Sequence, residues 1–156
     1  MIVCATGHRP NKLGGYGLDV KTKLEQLAFT WLEEHKPDKA ISGMALGWDQ
    51  AFARAAIELN IPLVAAIPFT GQEQAWPDSS QKEWKRLVDA AYEVVIVSEG
   101  GYAAWKMQKR NEWMVDTCDL VLALWDGSSG GTDNCVKYAR TKSKSIHNLW
   151  TNWLEV

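Results

Sequence analysis

The sequence predicts a doubly wound, Rossmann-like α/β fold: a mostly parallel sheet of five or six strands with helices on both faces. Three observations predict it. Short runs that are apolar throughout alternate with longer segments of helical period, the pattern of strands buried on both sides and joined by crossover helices. The apolar segment 120–125 runs directly into the glycine-rich stretch Asp126-Gly127-Ser128-Ser129-Gly130-Gly131-Thr132 and then into a helix-forming segment. No internal repeat, linker or low-complexity tract divides the 156 residues, so one domain over residues 1–156 is expected.

The elements follow in order. Ile2-Val3-Cys4-Ala5 opens the chain as a buried strand. From Asp19, read as an N-cap, the apolar positions Val20, Leu24, Leu27, Ala28, Trp31 and Leu32 keep a helical spacing as far as His35, and Lys36-Pro37 ends it. Lys39-Ala40-Ile41-Ser42 is the second strand. Phe52, Ala55, Ala56 and Leu59 mark the buried stripe of a helix beginning near Leu46 or Gly47. The third strand covers 62–67 and is stopped by Pro68. After a polar stretch comes a helix over 79–91, then a strand over 93–97. A helix over 102–117 buries Met107, Met114, Val115 and Cys118. A strand over 120–125, the glycine loop, a helix over 134–142 and a short edge strand over 145–149 complete the chain.

Composition narrows the function. With 46% hydrophobic and 23% charged residues the chain reads as a soluble globular protein. A formal net charge of −2 gives no electrostatic footprint for general nucleic-acid binding, which is therefore not expected. Cys4, Cys118 and Cys135 are odd in number and lack paired spacing, so they read as small core residues of a reducing compartment. No leader and no membrane-spanning run is visible, which places the expected location in the cytoplasm. His8, His35 and His147 have no mutual ligand spacing, so no metal is expected, and the sequence identifies no cofactor. The nine tryptophans serve packing, while Trp48 and Trp76, in segments read as loops, also suit stacking on a base.

In doubly wound sheets a ligand sits beyond the carboxyl ends of the strands, which directs attention to the residues after each strand. Thr6-Gly7-His8-Arg9 follows the first strand. Arg9 can fork two hydrogen bonds to a phosphate, and His8 can donate or move a proton; equally, both can pin a long loop. Ser42-Gly43-Met44-Ala45-Leu46-Gly47-Trp48-Asp49 follows the second, with two glycines four apart forming a second backbone cradle. Asp49, in the first turn of a helix, either complements the helix dipole or faces a ribose hydroxyl or a developing cation. Phe69, Gln74 and Trp76 lie in an aromatic, amide-rich loop after the third strand, suited to covering a base or forming a plain surface turn. Lys106 and Lys109 read as solvated, whereas Arg110 and Asn111 gain interest if their helix starts at the same edge. Gly127, Gly130 and Gly131 let the backbone approach a ligand, and the following helix start suits a phosphate.

Five segments taken together resemble the YpsA-like proteins of the SLOG superfamily, which also holds DprA-type proteins and the LOG phosphoribohydrolases. They are Gly7-His8-Arg9-Pro10, the stretch Ser42 to Asp49, Pro68-Phe69 with Gln72-Glu73-Gln74-Ala75-Trp76, Gln108-Lys109-Arg110-Asn111-Glu112-Trp113-Met114-Val115, and Asp126-Gly127 with Gly130-Gly131-Thr132. The resemblance covers about residues 2–140. It implies a Rossmann-like fold that binds nucleotides or nucleotide-derived molecules, and in the LOG branch hydrolysis of the N-glycosidic bond of nucleoside monophosphates. Arg110 and Gly131-Thr132 fit the LOG order, but the glutamate expected three residues beyond is Cys135 here. A neutral thiol cannot stabilise an oxocarbenium-like transition state as a carboxylate does. Asp49, Asp133 and Asp126 are the carboxylates that remain.

The resulting expectation is a nucleotide-type small molecule held through its phosphate. The backbone of Gly130, Gly131 and Thr132 and the Ser42-Gly43 turn hold the anion, with Arg9 or Arg110 neutralising its charge. Trp76, Phe69 or His8 border the base or ribose, and Thr6, Gly7, Gly47, Gln74, Asn111, Asp126 and Gly127 complete the set. A hydrolase would use Asp49 or Asp133. A non-catalytic interaction module, marked by exposed tryptophans away from these loops, is the remaining alternative. No membrane partner is expected, and a homo-oligomer is compatible with the tryptophan content.

Overall fold

The computed structural model describes residues 1–156. Its strands and helices alternate: β1 (Ile2–Gly7), α1 (Leu18–His35), β2 (Lys39–Ser42), α2 (Trp48–Glu58), β3 (Leu63–Phe69), α3 (Asp78–Ala90), β4 (Glu93–Ser98), α4 (Ala104–Thr117), β5 (Leu120–Leu124), α5 (Gly131–Thr141), β6 (Ser145–Asn148) and α6 (Trp150–Leu154). A single 3-10 turn, Pro10–Lys12, lies between β1 and α1.

All six strands are parallel, in the order β4-β3-β2-β1-β5-β6. The chain steps outward from β1 through β2 and β3 to β4, then returns to build β5 and β6 on the other side. The switch in direction lies between β1 and β5, and the crevice it opens is at their carboxyl ends. Val3 pairs with Leu120 and Gly7 with Leu124, so β1 and β5 end level with each other.

Two apolar cores flank the sheet. On one face, Val3, Ala5, Ala40 and Leu122 pack against Leu24, Trp31, Trp48, Phe52 and Leu87 from α1, α2 and α3. On the other, Cys4, Ile41, Val64, Ala66 and Val121 meet Met114, Val115, Cys118, Cys135 and Ala139 from α4 and α5. This two-sided burial is why the strands read as apolar throughout. The edge strands β4 and β6 are more exposed, Ile96 at 53%.

Several expectations need correction. α1 begins two residues earlier than predicted, with Gly17 rather than Asp19 at its N-cap, and Asp19 instead lies in the first turn near the positive helix end. Its end at His35 is as expected: the Lys36 amide still bonds the Leu32 carbonyl, and Lys36 itself turns into the left-handed region (φ 46) ahead of Pro37. Pro68 lies inside β3 rather than stopping it. Pairing with β2 has ended at Ala65, and the register with β4 passes over Pro68, so the missing N–H is tolerated. Met107 is half-buried and faces the crevice instead of the core. α6 was not predicted: five residues are too few to show a period.

Candidate functional site

The crevice between β1 and β5 opens into a cleft of about 450 Å³. Its floor is Thr6, Gly7, His8 and Arg9 at the end of β1. One wall is the loop and helix start from Ser128 to Asn134, and the other is the N-terminal half of α4, including Arg110 and Asn111. Asp49 reaches in from the first turn of α2.

The glycine loop is held by a short polar network. His8 is buried; its Nε2 lies 2.8 Å from Asp126 Oδ1 and 3.0 Å from the Asp126 amide. The Asp126 carboxylate also accepts from the Ser128 amide at 2.9 Å and from the Ser128 hydroxyl. Those two donors, ahead of His8, hold this carboxyl well below the usual carboxylate range. Lys12 Nζ donates to Ser128 Oγ at 2.7 Å, tying the loop after β1 to the loop after β5.

Beyond Ser129 the backbone is bare. Gly130 (φ 144) caps α5, no side chain caps the helix, and the first-turn amides of Gly131, Thr132 and Asp133 have no helical acceptor. Side-chain positions built on Gly130 and Gly131 would meet no atom within 4 Å. An open helix start of eleven residues thus faces the cleft.

The turn after β2 is different. Gly43 has its would-be Cβ 2.7 Å from Arg110 Cζ, so the guanidinium fills the space in front of it. Arg110 donates through Nη1 to the carbonyls of Gly43 and Ala66 and through Nε to Asn111 Oδ1. Gln72 Nε2 also donates to the Gly43 carbonyl at 2.9 Å. Ser42 Oγ donates to the Asp49 carbonyl and accepts from the Met44 amide. The second backbone cradle expected at Ser42-Gly43 is therefore sealed. Gly47 (φ 92) does not line the cleft either; a Cβ there would lie 2.7 Å from the His8 carbonyl, so it serves close packing of α2 on the first loop.

Asp49 is 6% exposed. Its Oδ2 accepts from the Ala45 amide at 3.4 Å, while Oδ1 is buried without a partner. Burial pushes the carboxyl up to about 6, against the pull of the Arg110 and Arg9 guanidinia and the Ala45 amide. Burial also pushes the Arg110 guanidinium down. Asp133 is buried and engaged by Lys137 Nζ at 2.9 Å. Of the two carboxylates singled out from the sequence, Asp49 is the one with a fully buried oxygen that has no partner. Cys135 sits in the second core with its thiol pushed up to about 11 by burial, not in the cleft.

A second cleft of about 340 Å³ holds Phe69, Gln74 and Trp76. Arg9, Tyr102 and Met107 line both clefts, so the two are contiguous. Asp126 and Gly127 line neither and stand behind the loop. Trp48, read as a stacking candidate, is wholly buried against Gly7, with Nε1 donating to the Leu122 carbonyl. Lys106, read as solvated, is buried and donates to the Glu99 and Gly101 carbonyls, fastening the turn that presents Tyr102. Asn11, Lys12, Ser128, Ser129, Tyr102 and Gln108 also line the first cleft and were missed. All but Gln108, which lies two residues before Arg110 on α4, sit in a segment after a strand, and that position was their one signal. No helix is long and apolar enough to cross a membrane.

The sequence model of the YspA SLOG family matches residues 3–155. The chain is 35% identical over 150 residues to YoqJ, an SPbeta prophage-derived protein of Bacillus subtilis strain 168, covering 85% of this chain and 86% of that one. It belongs to the SLOG family. Its fold is also that of DNA processing protein A (DprA) from Streptococcus pneumoniae, at TM-score 0.69 and 17% identity, covering 94% of this chain and 49% of that one. DprA from Helicobacter pylori, described by its single-stranded DNA binding mode, aligns at TM-score 0.68 and 17% identity, with 95% and 64% covered. The chain thus spans about half of the first DprA and under two thirds of the second. The H. pylori protein overturns one expectation: a net charge of −2 does not exclude nucleic-acid binding, because a single-stranded DNA-binding protein carries this fold. Overall charge averages the surface, and a chain of net charge −2 still carries local exposed basic groups such as Arg9, Lys12 and Lys109.

Proposed function

We propose that this SLOG-family chain binds a nucleotide or nucleotide-derived small molecule, with the ligand's phosphate against the first-turn amides of α5. The observation that carries the reading is the uncapped helix start at Gly130-Gly131, open toward a cleft that also contains exposed Arg9. Helix-terminal N–H groups and a guanidinium together recognise a phosphate rather than a neutral group. Asp49 Oδ1, buried and unpartnered in the same cleft, suits a ligand hydroxyl donor such as a ribose.

Thermal unfolding in the presence of phosphate, ribose 5-phosphate, nucleoside mono- and diphosphates and a single-stranded oligonucleotide tests this. The oligonucleotide belongs in the panel because Tyr102 and Trp105 stand exposed at the rim with Lys109 Nζ 5.8 Å from the Trp105 ring, an arrangement suited to bases and phosphates. Nucleoside phosphates are expected to raise the melting temperature saturably. No shift with any phosphate compound contradicts the reading.

Hydrolysis of an N-glycosidic bond is the second reading, favoured by Asp49 alone. A carboxyl raised to about 6 exchanges its proton near neutral pH and suits acid–base work at a leaving base. Release of free base from a nucleoside monophosphate, abolished by Asp49→Asn, would support it; intact substrate after prolonged incubation leaves binding as the function. An interaction module finds less support, since Trp105 is the one exposed tryptophan of the nine and stands beside the clefts.

A further inference from the structure

We infer that the second cleft is an adenine subsite, in which Gln74 reads the donor–acceptor edge of the base alongside Trp76, Phe69 and Tyr102. This rests on the phosphate reading above and adds the identity of the group at the ligand's other end.

The cleft has the composition of a site for an uncharged planar ring. Arg9 is the one charged residue among its walls, and it stands where the two clefts meet. An anionic group in the first cleft therefore passes Arg9 before anything attached to it enters the second. Phe69 and Tyr102 meet edge to face, with ring centroids 5.8 Å apart, and Trp76 is half-buried beside Gln74. Aromatic faces of this kind accept a nucleobase by stacking.

Two glutamines of the same loop have divided roles. Gln72 is buried and engaged at both ends of its amide: Nε2 donates to the Gly43 carbonyl and Oε1 accepts from Trp84 Nε1 at 2.9 Å. Gln74 is exposed, lines the cleft, and its side-chain amide bonds to nothing in the protein. That amide lies over Gly71, where a Cβ would come 2.8 Å from Gln74 Cδ. The left-handed backbone there (φ 91) and the missing side chain hold the space the amide occupies. A primary amide presents one donor and one acceptor side by side. The N6 amino group and N7 of adenine complement that pair, whereas the O6 and N7 of guanine are both acceptors and call for two donors.

Calorimetric titration of the full chain and of Gln74→Leu with adenosine 5′-monophosphate, guanosine 5′-monophosphate and ribose 5-phosphate tests the inference. The adenine nucleotide is expected to bind about tenfold tighter than either other probe. Gln74→Leu, at an exposed position, is expected to bring it level with the guanine nucleotide while leaving ribose 5-phosphate unchanged. Equal affinities for the two nucleotides, no advantage over ribose 5-phosphate, or an adenine preference that survives Gln74→Leu overturns the adenine subsite and leaves the phosphate reading standing. No binding of any of the three overturns both.

Discussion

The guanidinium of Arg110 occupies the space in front of Gly43: a Cβ at that glycine would come within 2.7 Å of Arg110 Cζ, and the same group donates to the Gly43 and Ala66 carbonyls. A side chain from α4 thereby ties together the ends of β2 and β3 and closes a turn that would otherwise be open backbone. Gly43→Ala is expected to displace the guanidinium and strand the Ala66 carbonyl, destabilising the chain by about 2–3 kcal/mol. Urea unfolding measures it. A loss below about 0.5 kcal/mol would show that the turn accommodates a methyl group and that the contact is not tight.

Trp48 stands in the same relation to Gly7. A Cβ at Gly7 would lie 2.4 Å from Trp48 Cδ1, and the indole is wholly buried. Gly7→Ala is expected to cost about 3 kcal/mol through overpacking. Trp48→Phe removes the bond from Nε1 to the Leu122 carbonyl as well as part of the ring, and about 2–3 kcal/mol is expected there. Denaturant midpoints of the two variants, compared at equal slope, check both values.

Asp49 gives the chain a pH dependence opposite to that of an ordinary paired carboxylate. Its carboxyl is pushed from 3.8 up to about 6 in the folded chain, so the folded state holds this proton more tightly than the unfolded state does. Between about pH 4 and about pH 6 stability therefore falls at this site as pH rises, by about 3 kcal/mol in total. Asp49→Asn removes that dependence. The stability of the variant relative to the unsubstituted chain is expected to climb from pH 4 to pH 7, measured by chemical denaturation at several pH values. A constant difference across that range would show that Asp49 ionises at its ordinary value.

Gly131 marks the wall of the first cleft without supporting the fold. A side chain there meets no atom within 4 Å, and its φ is not in the left-handed region, so Gly131→Val is expected to fold with a stability change of about 1 kcal/mol or less. The valine would project over the first-turn amides of α5. At least a tenfold loss of affinity for nucleoside phosphates is expected, read by calorimetry; unchanged affinity would place the phosphate elsewhere.

The fold was legible in the sequence because burial on both faces makes the central strands short apolar runs, as in Leu120–Leu124, which lies within the predicted 120–125. Boundaries set by backbone geometry were less so: Pro68 inside β3 depends on where β2 stops, which no local pattern reveals. The glycine loop was legible as flexible backbone before a helix. The sealing of Ser42-Gly43 was not, because the residue that fills it, Arg110, lies 67 positions along the chain. Glycine spacing alone cannot distinguish a turn left open for a ligand from one left small for a neighbouring side chain. Trp48 shows the same ambiguity, since its place among glycines resembled a loop and Gly7 made room for it in the core.

Backbone amide shifts in a ¹⁵N–¹H spectrum, followed while adenosine 5′-monophosphate is added, test the phosphate site most directly. Saturable movement of the Gly130, Gly131, Thr132 and Asp133 amides, with those of Gly43 and Met44 left in place, is the expected result. Movement confined to other amides, or none at all, would contradict it.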